Sequence, residues 1–467
     1  MQNLAEKPAP AHHLYTSRRT FPSAERLEKS KALRVIHMLR TTFAARRNLL
    51  ELFHPSLYDV RWNVAKIASG KVVTINDPAF ARHVLRDGAE AFQKGRMYDA
   101  IFGRFLGKSS LIMEGEESRT RRRLISPAFN ARALKRLEGV VAKHVELMLA
   151  DWDRAAADGP AEVDLSRAVT GLTMRIAMEA FFSSDLGDAE QEIAELMEEA
   201  IMESGSPSLI DMLGLPEWMP RKSRRRADEV IAALNTHLYR LIDARIAEGG
   251  EMPETPDLLD ILVHAQDEET GARLDREAVR NEVMTLFAAG HETTALSLAW
   301  GLDRLAREDA VQEELREAVR AEDDAPSPLI AAAYDEMLRL YPPAFIVGRQ
   351  ACANSTFEDV DLVPGDRVQV AIFMMHRNPK YWPEPEKFDP TRFLPEGRKG
   401  RDPFAYIPFG AGQRICVGLA LAKMEGAQVL REGLKRFRLR PAGPAPDPLG
   451  RITLRTEAPV KLVVERV

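Results

Sequence analysis

Two stretches of the chain carry residue types that do chemistry. In the first, Ile407 to Met424, Cys416 sits in a loop punctuated by Gly410, Gly412 and Gly418. Glycine permits turns and close approaches that a side chain blocks. Leu419 to Leu434 consists mostly of helix formers, so Cys416 lies just ahead of a helix N-terminus. The helix dipole, nearby backbone amides and the fixed cation of Arg414 all favour a thiolate there. Such a loop suits a sulfur anion held against something flat and bulky. A lone cysteine is more often a small buried hydrophobe, so the surrounding residues carry the argument. In the second stretch, Ala288-Ala289-Gly290-His291-Glu292-Thr293-Thr294, a carboxylate and two hydroxyls interrupt an apolar run. Local rules broken inside a buried element commonly mark a functional site.

The element that must position the second stretch is a helix predicted over 275–305. Asp275 can cap its N-terminus, with Glu277 in the first turn. From Val283 onward it is apolar on nearly every face, which marks a buried central helix. A glycine there costs about 1 kcal/mol against alanine, and an unpaired buried charge costs more. Before it, residues 140–249 read as almost wholly helical, with a Gly/Pro-containing break from Gly205 to Pro220 that suits a mobile lid. Lys71 to Ile75 alternates as a strand, stopped by Asn76-Asp77-Pro78, with a helix from Ala79. Residues 32–53 read as an amphipathic helix. After the central helix come an amphipathic helix around Val311 to Val319, a helix carrying Glu336-Met-Leu-Arg339, and the apolar extended run Ala344-Phe345-Ile346-Val347, closed by Arg349. Ile452 to Leu454 and Val460 to Val464 read as a final small hairpin or sheet.

Composition bounds the class. The 467 residues are 45% hydrophobic and 29% charged, as in an ordinary globular protein. A net charge of -5 implies neither nucleic acid nor an anionic membrane as a bulk partner. Cys352 and Cys416 are the two cysteines, which excludes a disulfide framework and points to a reducing compartment. Cys352 reads as a buried filler. No segment reaches the roughly 18 consecutive apolar residues that span a bilayer, and Met1 to His13 is polar. The expectation is a cytoplasmic protein of bacterial type.

Phe409-Gly410-x-Gly412-x-Arg414-x-Cys416-x-Gly418 resembles the cysteine-ligand loop of the haem-thiolate monooxygenases, the cytochrome P-450 superfamily. Ala289 to Thr294 is similar to that family's oxygen-activating helix, and Glu336-x-x-Arg339 with Phe388-Asp-Pro390-Thr-Arg392-Phe393 to its structural Glu/Arg/Arg trio. The resemblance implies a mainly α fold with small β-sheets (α+β). It would be one large domain over 23–467 behind a flexible arm, 1–22, with β-rich parts near 60–80, 345–375 and 450–467. Haem b (iron protoporphyrin IX) would be buried between the central helix and the cysteine loop.

By the same resemblance Cys416 ligates the iron, and Glu292 and Thr293 form an acid–alcohol pair that brings protons to dioxygen reduction. Ala289, Pro408, Phe409, Gly410, Gly418 and Ala422 border the cofactor, with Phe409 shielding the sulfur. Arg122, Arg349 and Arg414 neutralise its propionates. Where the family has Trp or His four residues before the Arg at 122, this chain has Ser118. Met284, Ala288, Ala289, Thr293, Ala344, Phe345, Ile346 and Val347 are the implied pocket, apolar enough for a terpenoid, steroid, fatty acyl or aromatic substrate.

The implied reaction inserts one oxygen atom from O2 into a C–H or C=C bond. No flavin module or Cys-rich iron–sulfur spacing is fused to the chain. A ferredoxin or flavodoxin with its reductase is therefore the expected electron source, steered by Arg119, Arg121, Arg123, Lys399 and Arg401 to a monomeric protein. A peroxide-driven peroxygenase of the same fold, and a non-enzymatic haem-thiolate sensor, are the alternatives. The Glu292–Thr293 pair argues against the first, and the apolar pocket and lid-like break argue against the second.

Overall fold

In the computed structural model, residues 47–53, 55–67, 70–183, 189–204, 222–249, 252–321 and 327–467 are described. The arm at 1–22 and the break at 205–220 lie outside them. Of the helical stretch expected at 32–53, only 47–53 are described, and they hold a 3-10 turn at Leu49–Leu52.

The described elements in chain order begin with strands β1 (Trp62–Ile67), β2 (Gly70–Ile75) and β3 (Phe92–Gln93). Helices α1 (Arg96–Leu106), α2 (Gly115–Ile125) and α3 (Ala131–Ala155), strand β4 (Ala161–Asp164) and helices α4 (Leu165–Phe182), α5 (Ala189–Ser204), α6 (Lys222–Glu248) and α7 (Leu258–His264) follow. The central helix α8 (Arg276–Leu305) leads into α9 (Asp309–Arg320) and α10 (Pro328–Leu340). Strands β5 (Val347–Ala351), β6 (Ser355–Phe357), β7 (Val360–Leu362) and β8 (Arg367–Val370) precede the cysteine loop and α11 (Leu419–Arg436). The chain closes with β9 (Phe437–Pro441), β10 (Pro448–Gly450), β11 (Leu454–Thr456) and β12 (Lys461–Arg466). The fold is mainly helical with small sheets, as the sequence implies, although β4 interrupts the stretch expected to be almost wholly helical, and Cys352, expected to be buried, is exposed beyond the end of β5.

Asp275 caps α8 by accepting from the Ala278 amide at 2.7 Å, a contact worth about 1 kcal/mol. The apolar pattern of α8 is satisfied all round. Val283, Met284 and Phe287 join a core with Phe181 and Leu234, while Leu298, Leu302 and Leu305 join a second with Val429 and Leu430 of α11. Truncating such a leucine to alanine costs about 2–5 kcal/mol. Helix α10 lies close to α11 because residue 426 is glycine: a Cβ there would meet the Tyr334 ring at 2.3 Å.

The main sheet runs β1-β2-β8-β5-β3. Its antiparallel β3–β5 register pairs Gln93 with Gln350, which brings the next residue, Lys94, beside Arg349. The two C-terminal segments do not form one hairpin. β11 pairs with β10, Gly450 opposite Leu454, whereas β12 lies between β4 and β9. Burial explains the split, since Leu462 and Val464 are buried on one face of β12 against the α3–α4 side of the core.

Candidate active site

The cysteine loop is shaped by backbone constraints. Gly410 and Gly412 have φ of +69° and +67°, and a Cβ at Gly412 would lie 1.9 Å from the Leu85 carbonyl oxygen. Amide donors close the loop on itself: Gly410 to the Ile407 carbonyl at 3.0 Å, Ile415 to Gly412 at 3.1 Å and Cys416 to Phe409 at 3.0 Å. Pro408 is buried and Phe409 half-buried against the core. The Ala422 amide donates to Gly418 in the first turn of α11, at 2.9 Å.

The base of the loop rests on a buried polar network. The Ile407 amide donates to His376 Nε2 at 2.9 Å, and His376 Nδ1 meets the Arg339 carbonyl at 3.2 Å. These contacts assign the neutral Nδ1–H tautomer, and complete burial, with Arg339 alongside, pushes the imidazole down to about 3. Arg339 forms a fully buried pair with Glu336, 2.6 Å, which also takes the Asp389 amide at 2.9 Å and lies 3.5 Å from Arg392. Tyr406 donates to Asp335 at 3.0 Å, and Lys423 of α11 reaches the same carboxylate at 2.7 Å. Both ends of the cysteine loop are therefore pinned to α10.

Cys416 itself is exposed by surface area, yet dense protein surrounds it, so its sulfur lines an internal recess. Burial pushes the thiol up; the Gly418 amide and the Arg122 charge act the other way. A bound metal would displace the thiol proton.

Helix α8 is bared over one short stretch. Between Ala278 and Leu305 only Ala289 and Gly290 are exposed, and Glu292 and Thr293 beside them are partly so. Thr293 Oγ1 donates to the Ala289 carbonyl at 2.6 Å. Glu292 Oε1 accepts from Thr453 Oγ1 at 2.9 Å and forms an ion pair with Arg455. His291 is buried and stacked on Phe287, and burial pushes it down to about 4, which keeps it neutral. Glu425 of α11, a buried carboxyl beside Thr294 of α8, is pushed up to about 8 by burial.

A cationic group borders the recess. Lys94, Arg122, Arg349 and Arg414 lie close enough for Lys94 to feel the other three charges, and Glu114 is the carboxylate among them. Burial and these neighbours push the Lys94 amine down to about 7. Arg414 is not free: it donates to Ser118 Oγ, to the Met113 carbonyl at 2.7 Å and to Glu114 at 2.7 Å. The serine that departs from the family pattern thus receives the loop arginine. Arg349 donates to the Gly348 carbonyl at 2.7 Å.

Among the implied pocket residues, Ala288, Ala344, Ile346 and Val347 are partly exposed, whereas Met284 and Phe345 are fully buried in the core. Of the expected docking cations, Arg119 and Lys399 are exposed. Arg121 turns toward the buried Glu282 at 3.7 Å, Arg123 pairs with Asp267 at 2.6 Å, and Arg401 lies over the Trp382 ring at 4.1 Å.

These residues fit a haem. A sulfur opens into the interior, a helix bares an Ala–Gly step within a buried run, and four cations with one carboxylate between them suit a dianionic edge. Lys94, Thr453, Arg455, His376 and Glu425 were invisible to sequence reasoning, since no spacing rule links them to the motifs they touch.

Comparison with known proteins identifies the family. The cytochrome P-450 family model matches residues 62–464, and the chain belongs to that family. Cyclooctatin synthase of Streptomyces melanosporofaciens is 32% identical over 373 residues, 77% of this chain and 79% of that protein. Leukotriene-B4 omega-hydroxylase 3 of Mus musculus is 30% identical over 421 residues, 84% and 80% of the two chains. A retinoic acid-bound cyanobacterial protein shares the fold at TM-score 0.75 with 22% identity, covering 88% of this chain and 93% of that one. A cytochrome P-450 haem domain does so at 0.74 with 23% identity, covering 89% and 92%. The chain is accordingly a haem b-binding oxidoreductase of the monooxygenase class. Among the described residues no helix is long and apolar enough to cross a membrane.

Proposed function

We propose that this protein hydroxylates or epoxidises an apolar small molecule, as a cytoplasmic monomer taking two electrons from a separate ferredoxin or flavodoxin. One atom of O2 enters the substrate and the other leaves as water, with two electrons and two protons consumed. The observation that carries the reading is the pairing of an inward-opening Cys416 sulfur with the bared Ala289–Gly290 step of α8. Cys416 would hold the haem, with Arg122, Arg349, Arg414 and Lys94 facing its propionates. The haem, when bound, supplies electron storage and O–O cleavage, which thiolate ligation favours.

The protein's own part is orientation and proton supply. Glu292 holds a proton-transferring carboxylate in the bared stretch of α8, and the Thr293 hydroxyl lies one residue on, its hydrogen resting on the Ala289 carbonyl. Ala288, Ala344, Ile346 and Val347 offer apolar surface without charge, which favours a terpenoid, steroid, fatty acyl or aromatic substrate. The names of the leukotriene and retinoic acid relatives point to the same kind of molecule. The test is a spectral binding screen of such compounds on the haem-loaded protein, followed by product analysis with ferredoxin and reductase. Binding spectra with no oxygenated product from any class would overturn the monooxygenase reading in favour of a sensor. Product formed with peroxide but not with electrons from NADPH would favour a peroxygenase.

A further inference from the structure

We infer that the C-terminal hairpin β10–β11 is part of the proton-delivery machinery, with Arg455 and Thr453 as positioning residues that hold the Glu292 carboxylate. The inference rests on the role assigned to Glu292 above and names what fixes that side chain.

Glu292 stands in the bared stretch of α8, and its side chain is partly exposed and has three rotatable bonds. Left alone, it would sample several rotamers along the recess. The hairpin removes that freedom. Thr453 Oγ1 donates to Glu292 Oε1 at 2.9 Å, Arg455 pairs with the same oxygen, and Arg455 Nε lies 3.4 Å from Thr453 Oγ1. Both contacts are therefore on one oxygen. Among the described residues Oε2 takes no protein hydrogen bond, so the clamp leaves it available for a proton.

The clamp is itself held firmly. Between Thr453 and Arg455, Leu454 is fully buried; its amide donates to the Pro343 carbonyl at 2.9 Å, and its carbonyl accepts from Trp300 Nε1 at 3.1 Å. Trp300 is on α8, eight residues beyond Glu292, and Pro343 immediately precedes the pocket run that starts at Ala344. At the outer end, the Gly450 amide donates to Asn48 Oδ1 at 2.8 Å and Asn48 Nδ2 to the Pro448 carbonyl at 2.9 Å. The hairpin is thus tied to the helix that bears the acid and to the segment beside the pocket. A charge-assisted contact fixed at both ends orients a carboxylate at little further entropic cost. Loss of orientation should show as electrons lost to hydrogen peroxide, which needs two electrons and two protons per O2, instead of water, which needs four of each.

The experiment uses the haem-loaded full chain with a plant-type ferredoxin, its reductase, NADPH and O2, and no substrate. The readout is hydrogen peroxide formed per NADPH. Arg455→Gln should raise this yield at least about threefold and raise the solvent isotope effect on NADPH oxidation, with haem content and the thiolate-type carbon monoxide spectrum unchanged. Arg455→Lys should restore part of the loss, and Thr453→Val, the milder change that carries the test should Arg455→Gln fail to fold, should give an intermediate yield. In the Glu292→Gln background Arg455→Gln should add nothing. A readout that does not depend on turnover is the double-mutant cycle of Glu292→Gln and Arg455→Gln on urea unfolding of the apoprotein, where non-additivity of at least about fivefold in the unfolding constant is expected. Glu292→Gln with an unchanged peroxide yield would remove the acid role itself. A defective Glu292→Gln beside a normal or better-coupled Arg455→Gln would overturn the clamp alone.

Discussion

The guanidinium of Arg414, two residues before the cysteine, donates to the hydroxyl of Ser118, 296 residues earlier in the chain. The same arginine pairs with Glu114 and takes two carbonyls of the loop after α1, Ser110 and Met113. Ser118 is small enough to admit it where the family carries Trp or His, so the chain's own atoms already engage this cation.

With Arg414 shared, Lys94, whose amine also donates to the Leu111 carbonyl, is expected to carry a larger part of the cofactor's carboxylates. Lys94→Met should speed haem release about tenfold, the order of one charge-assisted hydrogen bond. Haem dimethyl ester, which lacks the two charges, should leave wild type and variant with equal rates. Glu114→Gln should act oppositely and slow haem release. Transfer of haem to an apoglobin acceptor measures all of these.

Glu425 gives stability a pH signature. In the folded chain it holds its proton up to about pH 8, whereas an unfolded glutamate loses it near 4.5. Between those values the unfolded chain binds fewer protons, so this contribution is fully present below 4.5 and is lost as pH rises through 8, by at most about 1.4 kcal/mol per pH unit. His376, held down to about 3, acts oppositely and only below about 6.5. Lys94, held down to about 7, contributes stability as pH rises above that value and so opposes the carboxyl. In urea unfolding between pH 6.5 and 8 the carboxyl is therefore read as a difference: the stability of wild type relative to Glu425→Gln should fall as pH rises.

The buried Glu336–Arg339 pair supports the loop through the Asp389 amide and through His376. Glu336→Ala leaves Arg339 charged and unmatched, a loss of about 3–5 kcal/mol. Urea unfolding should show it, together with haem loading well below that of wild type. His376→Gln, which can still accept from the Ile407 amide, should retain more of the thiolate-type carbon monoxide spectrum than His376→Leu.

Electron transfer should depend on the two docking cations that the protein does not engage inwardly, Arg119 and Lys399. Arg119 has Glu116 within 2.7 Å, but both are exposed and such a pair is weak. Arg119→Glu with Lys399→Glu should slow reduction by ferredoxin several-fold and flatten its salt dependence. Arg121→Gln should instead act on stability, since Arg121 lies against the buried Glu282. Stopped-flow reduction at two ionic strengths tests the first, and thermal unfolding the second.

What the sequence determined by itself was local or periodic. Asp275 before an apolar run specifies where α8 starts, because a cap acts within three residues. Glycine at 410 and 412 specifies a loop with left-handed backbone, because few other residues adopt it. The order of the cysteine loop, the Ala-Gly-x-Glu-Thr-Thr helix and the Glu/Arg/Arg trio specifies the family. Tertiary structure decided which partners those motifs find. Arg455 reaches Glu292 across 163 residues, Ser118 reaches Arg414 across 296, and His376 reaches Ile407 across 31. Arg455 is one of 65 lysines and arginines, and nothing in its neighbours sets it apart. It acquires a role because the register of β10 with β11 and the anchoring of Leu454 bring it to the acid. Short-range rules fix backbone shape, whereas long-range charge pairing is set by packing, which one-dimensional spacing does not encode.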